Sequence, residues 1–86
     1  MQADKAKVMR LLKTARGQID GIMKMVEEDR YCIDISHQLM ATSAMINKTN
    51  KEVLTAHLKN CVNNAKTAEE REEKIDEFVK TLGKLL

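Results

Sequence analysis

Apolar residues recur along the first third of the chain at alternating spacings of four and three: Val8, Leu12, Ala15, Ile19, Ile22 and Val26. That is the period of an amphipathic helix. Asp4 stands just ahead of the run as an N-cap, so the pattern predicts a first helix over about residues 4–28. Arg10, Lys13, Arg16 and Lys24 fall largely off the stripe, while Gly17 and Gly21 interrupt the helix four residues apart. A glycine costs about 1 kcal/mol of helix propensity, and a close helix crossing would explain the pair. Two simply tolerated glycines are the alternative.

The segment Glu27-Glu28-Asp29-Arg30 breaks the pattern. A second helix is expected over about residues 31–64, with Asp34 near its positive end. Its apolar positions Ile35, Leu39, Ile46 and Val53 advance in steps of four and seven and are then joined by Leu54, Leu58 and Val62. Asn47-Lys48-Thr49-Asn50 leaves two readings open, a continuous helix or a helix–helix turn. The absence of Gly and Pro there favours continuity. Thr67 followed by Glu70 reads as a capping box for a third helix over about residues 67–83. Ile75, Phe78, Val79, Leu82 and Leu86 form its apolar face, and Gly83 stands where a C-cap belongs. No internal repeat, low-complexity tract or linker divides the chain, so residues 1–86 form a single all-α domain of three helices.

Composition adds a limit. Eighty-six residues with only Tyr31 and Phe78 as aromatics make a small core, and chains of this size commonly need a metal, disulfides or oligomerisation. An obligate oligomer is expected. No apolar run approaches the ~20 residues of a membrane span, and no signal-peptide h-region opens the chain. The chain is therefore expected to be cytoplasmic, with no membrane partner. Two cysteines in that compartment read as ligands, redox groups or small buried hydrophobes.

The net charge of +2 is distributed unevenly. Six basic residues lie between Lys5 and Lys24 against Asp20 alone, and four lysines from Lys48 to Lys66 against Glu52. Acids gather at Glu27–Asp29 and Glu69–Glu77. One basic face suits a polyanion. Single-stranded nucleic acid is usually held by base stacking, so the scarcity of aromatics favours duplex DNA.

Cys32, His57 and Cys61 carry the candidate chemistry. His57 and Cys61, four apart, are neighbours on a helix, and Cys32 falls within roughly 20° of both on the same stripe. Along a continuous helix, however, Cys32 is about 37 Å from His57. Two such helices packed antiparallel would make two symmetric sites, each with Cys32 from one chain and His57 and Cys61 from the other. Two thiolates and an imidazole suit Cu(I). Zinc, which prefers a fourth ligand, stays open because Asp and Glu are available. So do two plainer readings: buried cysteines with an interface histidine, and a Cys61–His57 nucleophile pair. An enzyme is not favoured, because phosphate loop, Ser-His-Asp constellation and carboxylate pair are all missing, and no small-molecule substrate is implied. His37 fits no ligand set and reads as a surface residue. The six methionines are scattered and read as core filling rather than a copper-trafficking surface.

Arg16-Gly17-Gln18-Ile19-Asp20-Gly21-Ile22, Tyr31-Cys32-Ile33-Asp34-Ile35 and His57-Leu58-x-x-Cys61-Val62 together resemble the copper-sensitive operon repressor family over nearly the whole chain. The resemblance implies a three-helix protomer in an antiparallel four-helix-bundle dimer, or in a homotetramer formed as a dimer of dimers. It implies an apo form that binds operator DNA, and release by Cu(I) that derepresses copper-export genes. Nickel- or cobalt-responsive relatives replace the last Cys by His and add a His near the N-terminus, where this chain reads Met1-Gln2-Ala3-Asp4. Formaldehyde-responsive relatives lack the second Cys, and persulfide-responsive relatives lack the His. Only the copper pattern is met in full, with a persulfide- or thiol-responsive repressor using Cys32 and Cys61 as the alternative. Tyr31 and Glu77 align with residues that hydrogen-bond the outer nitrogen of the ligand histidine. Arg10, Lys13, Arg16 and Gln18 of the first helix, with Lys48 and Lys51 of the second, are expected to contact DNA; a solvated basic face is the alternative for each lysine singly. The family usually has Arg where Leu11 stands; Arg10 beside it is the substitute.

Overall fold

The computed structural model describes residues Met1–Leu85, which form three helices: α1 (Lys5–Glu27), α2 (Cys32–Asn64) and α3 (Ala68–Leu85). No strand occurs among the described residues. The similar all-α expectation therefore holds, and each helix starts within a residue or so of its predicted position.

Local chemistry explains the boundaries. The Asp4 carboxylate accepts from the backbone N–H groups of Ala6 at 3.0 Å and Lys7 at 3.3 Å, satisfying two free donors of the first turn. α1 ends in a Schellman turn: Arg30 N–H donates to Met25 O at 3.0 Å and Asp29 N–H to Val26 O at 3.1 Å. Asp29 takes the left-handed position, φ 52°, that glycine usually fills. Aspartate is among the few residues that tolerate it. At α3, Thr67 Oγ1 accepts from Glu70 N–H at 3.0 Å, but the Glu70 carboxylate accepts from Lys66 N–H at 3.3 Å rather than from Thr67. The expected capping box is thus displaced by one residue.

α2 runs unbroken through Asn47–Asn50 for 33 residues. α1 lies along its first part and α3 packs only against α2. The α1–α2 seam is built from Val8, Leu11, Ala15 and Ile22, all buried, facing Thr42 and Thr49, each 5% exposed. Thr42 Oγ1 donates to Gln18 Oε1 across the seam at 3.0 Å, and Thr49 Oγ1 donates back to Met45 O at 2.9 Å. Lys7 Nζ reaches Glu52 Oε1 at 3.0 Å on the outer edge of the seam.

Several expectations are corrected. Leu12, Ile19 and Val26 are exposed, and the buried line runs through Leu11 instead. A Cβ added at Gly17 or Gly21 would meet nothing within 4 Å, so no helix crosses closely there within the protomer. Gly83 sits inside α3 rather than at its C-cap and has no positive φ. Met1, Met9, Met23 and Met40 are exposed rather than core-filling, although Met25 and Met45 are half-buried. On α3, Phe78 and Leu82 are half-buried while Ile75 and Val79 stay exposed; Leu86 lies outside the described residues.

The protomer is an open layer, 57 × 26 × 12 Å, with a radius of gyration of 17.3 Å. A compact chain of this length would have a radius near 12 Å. Its accessible surface is 6708 Å², against roughly 5,200 Å² for a folded monomer of this mass. The surplus is of the order that each subunit of an obligate dimer buries.

Candidate metal centre and nucleic-acid face

α2 positions all three candidate ligands. Cys32 is its first residue and is exposed; His57 and Cys61 stand on adjacent turns near its end, Cys61 half-buried. Both cysteines are free thiols. His57 Nε2 lies 3.5 Å from Cys61 Sγ. An ion about 2.3 Å from sulfur and about 2.0 Å from nitrogen, as in zinc sites, spans that separation at close to a tetrahedral angle. The donor pair therefore fits one soft cation. Because α2 is continuous, Cys32 is held about 37 Å further along the axis. No group of three metal-binding side chains comes together within the protomer among the described residues. The unbroken helix thereby removes the hairpin reading.

The face beside these ligands is apolar and open. Ile19 and Met23 of α1 and Leu39, Ser43 and Ile46 of α2 line a groove over the seam, floored by Ile22 and Thr42. Ile19, Met23, Leu39 and Ile46 are 44–53% exposed. On a helix of 100° per residue, Cys32, Leu39, Ser43, Ile46, His57 and Cys61 all fall within a band of about 60°.

His57 and Glu77 line a second cleft, with Val53, Leu54, Met1 and Gln2. α3 thus sets Glu77 on the same cleft as the histidine, with the Glu77 carboxylate 3.8 Å from Lys74 Nζ. Tyr31 is the N-cap residue of α2, exposed and adjacent to Cys32. It moves with the distant cysteine, so it meets a histidine only where Cys32 does. His37 is exposed, as expected.

The basic residues do not form one cluster. Arg10 and Lys13 are exposed and flank a shallow depression on α1 with Ala6, Met9 and Thr14. Arg10, with exposed Lys48 and Lys51 of α2, falls on the side of the layer away from the apolar groove. Arg16 is exposed but falls on the groove side. Gln18 is half-buried, its carbonyl oxygen engaged by Thr42. Leu11 is 8% exposed and belongs to the seam, so Arg10 is the side chain available at the surface. Thr42 and Thr49 are not revealed by apolar periodicity; their signal is a seven-residue spacing, Ile35-Thr42-Thr49-Ala56, along the line facing α1.

The family model described as metal-sensitive transcriptional repressor matches residues 4–84. A copper-sensing transcriptional repressor of Mycobacterium ulcerans is 40% identical over 79% of this chain and 58% of its own length. One from Bacillus subtilis is 35% identical over 94% of this chain and 80% of its own. The chain thus spans little more than half the length of its mycobacterial relatives. In fold it is similar to the nickel-responsive transcriptional regulator InrS, with a TM-score of 0.81 at 24% identity, covering 100% of this chain and 97% of that one.

Proposed function

The chain belongs to the metal-sensitive transcriptional repressor family, whose members are repressors and not enzymes, and from that premise we propose that it is a Cu(I)-responsive repressor of duplex DNA. The observation that carries the metal is the 3.5 Å approach of His57 Nε2 to Cys61 Sγ on a face that also bears Cys32. Two protomers with antiparallel α2 helices complete each site, Cys32 from one meeting His57 and Cys61 from the other. The open apolar groove and the surplus surface support that pairing. Bound Cu(I) supplies a soft centre that accepts two thiolates and one imidazole without a fourth ligand. Glu77, in the cleft of His57, and Tyr31, beside Cys32, are placed to fix the ring through its outer nitrogen. Because Glu77 belongs to α3, fixing the ring couples the site to α3 and shifts the assembly away from its DNA-competent shape.

In the apo form Arg10, Lys13, Lys48 and Lys51 contact phosphates, Gln18 offers its amide, and Arg16 contacts phosphate from the groove side. Release of operator derepresses genes that remove copper. The exposed thiol of Cys32 also supports a second reading, in which Cys32 and Cys61 of paired chains respond to persulfide. His57 beside Cys61 favours the metal.

The test is anaerobic titration of reduced protein with Cu(I), reading binding to duplexes that the protein itself selects from a randomised pool. Release at one copper per chain is expected, with affinity that falls steeply with salt. Duplex retained under Cu(I), but released by nickel or by polysulfide, overturns the assignment.

A further inference from the structure

Between the two ends of the ligand stripe, the exposed face of α2 is not uniformly apolar. Ser43, Asn47 and Asn50 interrupt it, Ser43 and Asn47 exposed and Asn50 half-buried. Among the described residues none of their side chains has a hydrogen bond within the protomer, whereas Thr42 and Thr49 on the adjoining line are both bonded. Polar side chains without partners, on the face that must be covered to complete the site, need an explanation.

Helix geometry supplies one. In an antiparallel pair, facing residues have positions that sum to a constant. Setting Cys32 opposite the midpoint of His57 and Cys61 makes that sum about 91, so the twofold axis crosses α2 near Met45 and Ile46. Ser43 then faces a position between the partner's Asn47 and the partner's Asn50. The three polar residues of each chain gather around the axis, with Ile46 at its centre and Leu39 beyond. A slip of seven residues sets the sum at about 84 or about 98. At about 84, both asparagines move off the polar patch and Ser43 faces a point between the partner's Leu39 and the partner's Ser43. At about 98, the asparagines still meet across the axis but Ser43 faces the partner's Leu54. The same slip parts Cys32 from the other two ligands by about 10 Å. Each slipped register leaves at least one of the three side chains without a polar partner, and a buried polar group left unpaired is costly.

We infer that Ser43, Asn47 and Asn50 form a polar register lock at the centre of the α2–α2 pair, whose role is to hold Cys32 opposite His57 and Cys61. The inference rests on the two-chain site proposed above and names what specifies it. The apolar positions supply the attraction but tolerate a slip. All three polar residues of both chains gather in only one of these alignments, so the trio specifies register as a single buried Asn does in coiled coils.

Disulfide mapping tests it. Mild oxidation of reduced protein with diamide, an azo oxidant that takes two electrons and two protons from a thiol pair, joins sulfurs that lie close. Peptide mass mapping then identifies them. Wild type is expected to give mainly the interchain Cys32–Cys61 product. The double variant Asn47→Leu, Asn50→Leu is expected to stay dimeric and helical. Its Cys32–Cys61 yield should fall several-fold, and its Cu(I) affinity at least tenfold. Ser43→Leu, with both asparagines kept, should act in the same direction with a smaller drop. A dimeric double variant with wild-type yield overturns the lock while leaving the site intact. A monomeric double variant also overturns it, since the trio would then supply affinity rather than register. No Cys32–Cys61 product in wild type overturns the two-chain site itself, and the lock with it.

Discussion

The two sides of the α1–α2 layer are built differently. The seam between the helices is finished within one chain: Val8, Leu11, Ala15 and Ile22 are buried, and Thr42, Gln18, Lys7 and Glu52 have their polar groups paired. The groove side carries Leu39, Ile46, Ile19 and Met23 and leaves each about half exposed. The candidate ligands lie on that unfinished side. A seam closed by so few buried apolar residues is a weak core, and the open face is where most apolar surface remains to be buried. In the proposed pairing, folding and site assembly are the same event.

The largest effect that sharpens this contrast is expected at the axis. Ile46→Lys places two like charges beside each other in a symmetric interface, and the effective penalty for burying an unpaired ion is several kcal/mol. Ile46 is 47% exposed in the protomer, so the same change costs the isolated chain little. Sedimentation should show the assembly lost at concentrations where wild type is associated, together with loss of stoichiometric Cu(I) binding. A variant that remains fully associated would show that the groove is not the interface.

On the seam, Leu11→Ala is expected to lower stability by about 2–3 kcal/mol, the low end for buried leucine because the layer is thin enough to relax. Urea unfolding at fixed protein concentration measures it. A loss below about 0.5 kcal/mol would mean that the seam holds no more than the surface does, and the contrast would fail.

This contrast also marks the limit of what could be read from residues alone. Helix starts were legible because caps are local: Asp4 and Thr67 bond donors two or three residues away. The continuity of α2 followed from the absence of breakers, and the neighbourhood of His57 and Cys61 from helical spacing. The end of α1 was visible only as an interruption, because its left-handed position is filled by Asp29 instead of glycine. The choice between Leu11 and Leu12 was not legible. α1 has apolar residues over a wide arc, part of it facing α2 and part lining the open groove, and periodicity does not say which part meets α2. Gly17 and Gly21 misled for a related reason: their cost is local, but nothing inside the protomer approaches them. Cys32 shares the stripe because α2 is continuous, yet its joining to the other ligands depends on a second chain, which no intrachain distance tests.

The smallest effect is expected at Thr42, and it bears on both sides at once. Thr42 floors the apolar groove and also donates to Gln18 across the seam at 3.0 Å. Thr42→Val keeps shape and volume but removes the donor. Gln18 is half-buried and can turn toward water, so the cost should be about 0.5–1.5 kcal/mol, that of one hydrogen bond without a stranded partner. Freed from Thr42, the Gln18 carboxamide gains rotamers that duplex binding must again restrict, so DNA affinity should fall a few-fold while Cu(I) affinity is unchanged. Thr42→Ser, which keeps the hydroxyl, should restore DNA affinity although it leaves a small void in the seam. That reversal separates positioning of Gln18 from packing, since packing alone would make serine the worse of the two substitutions.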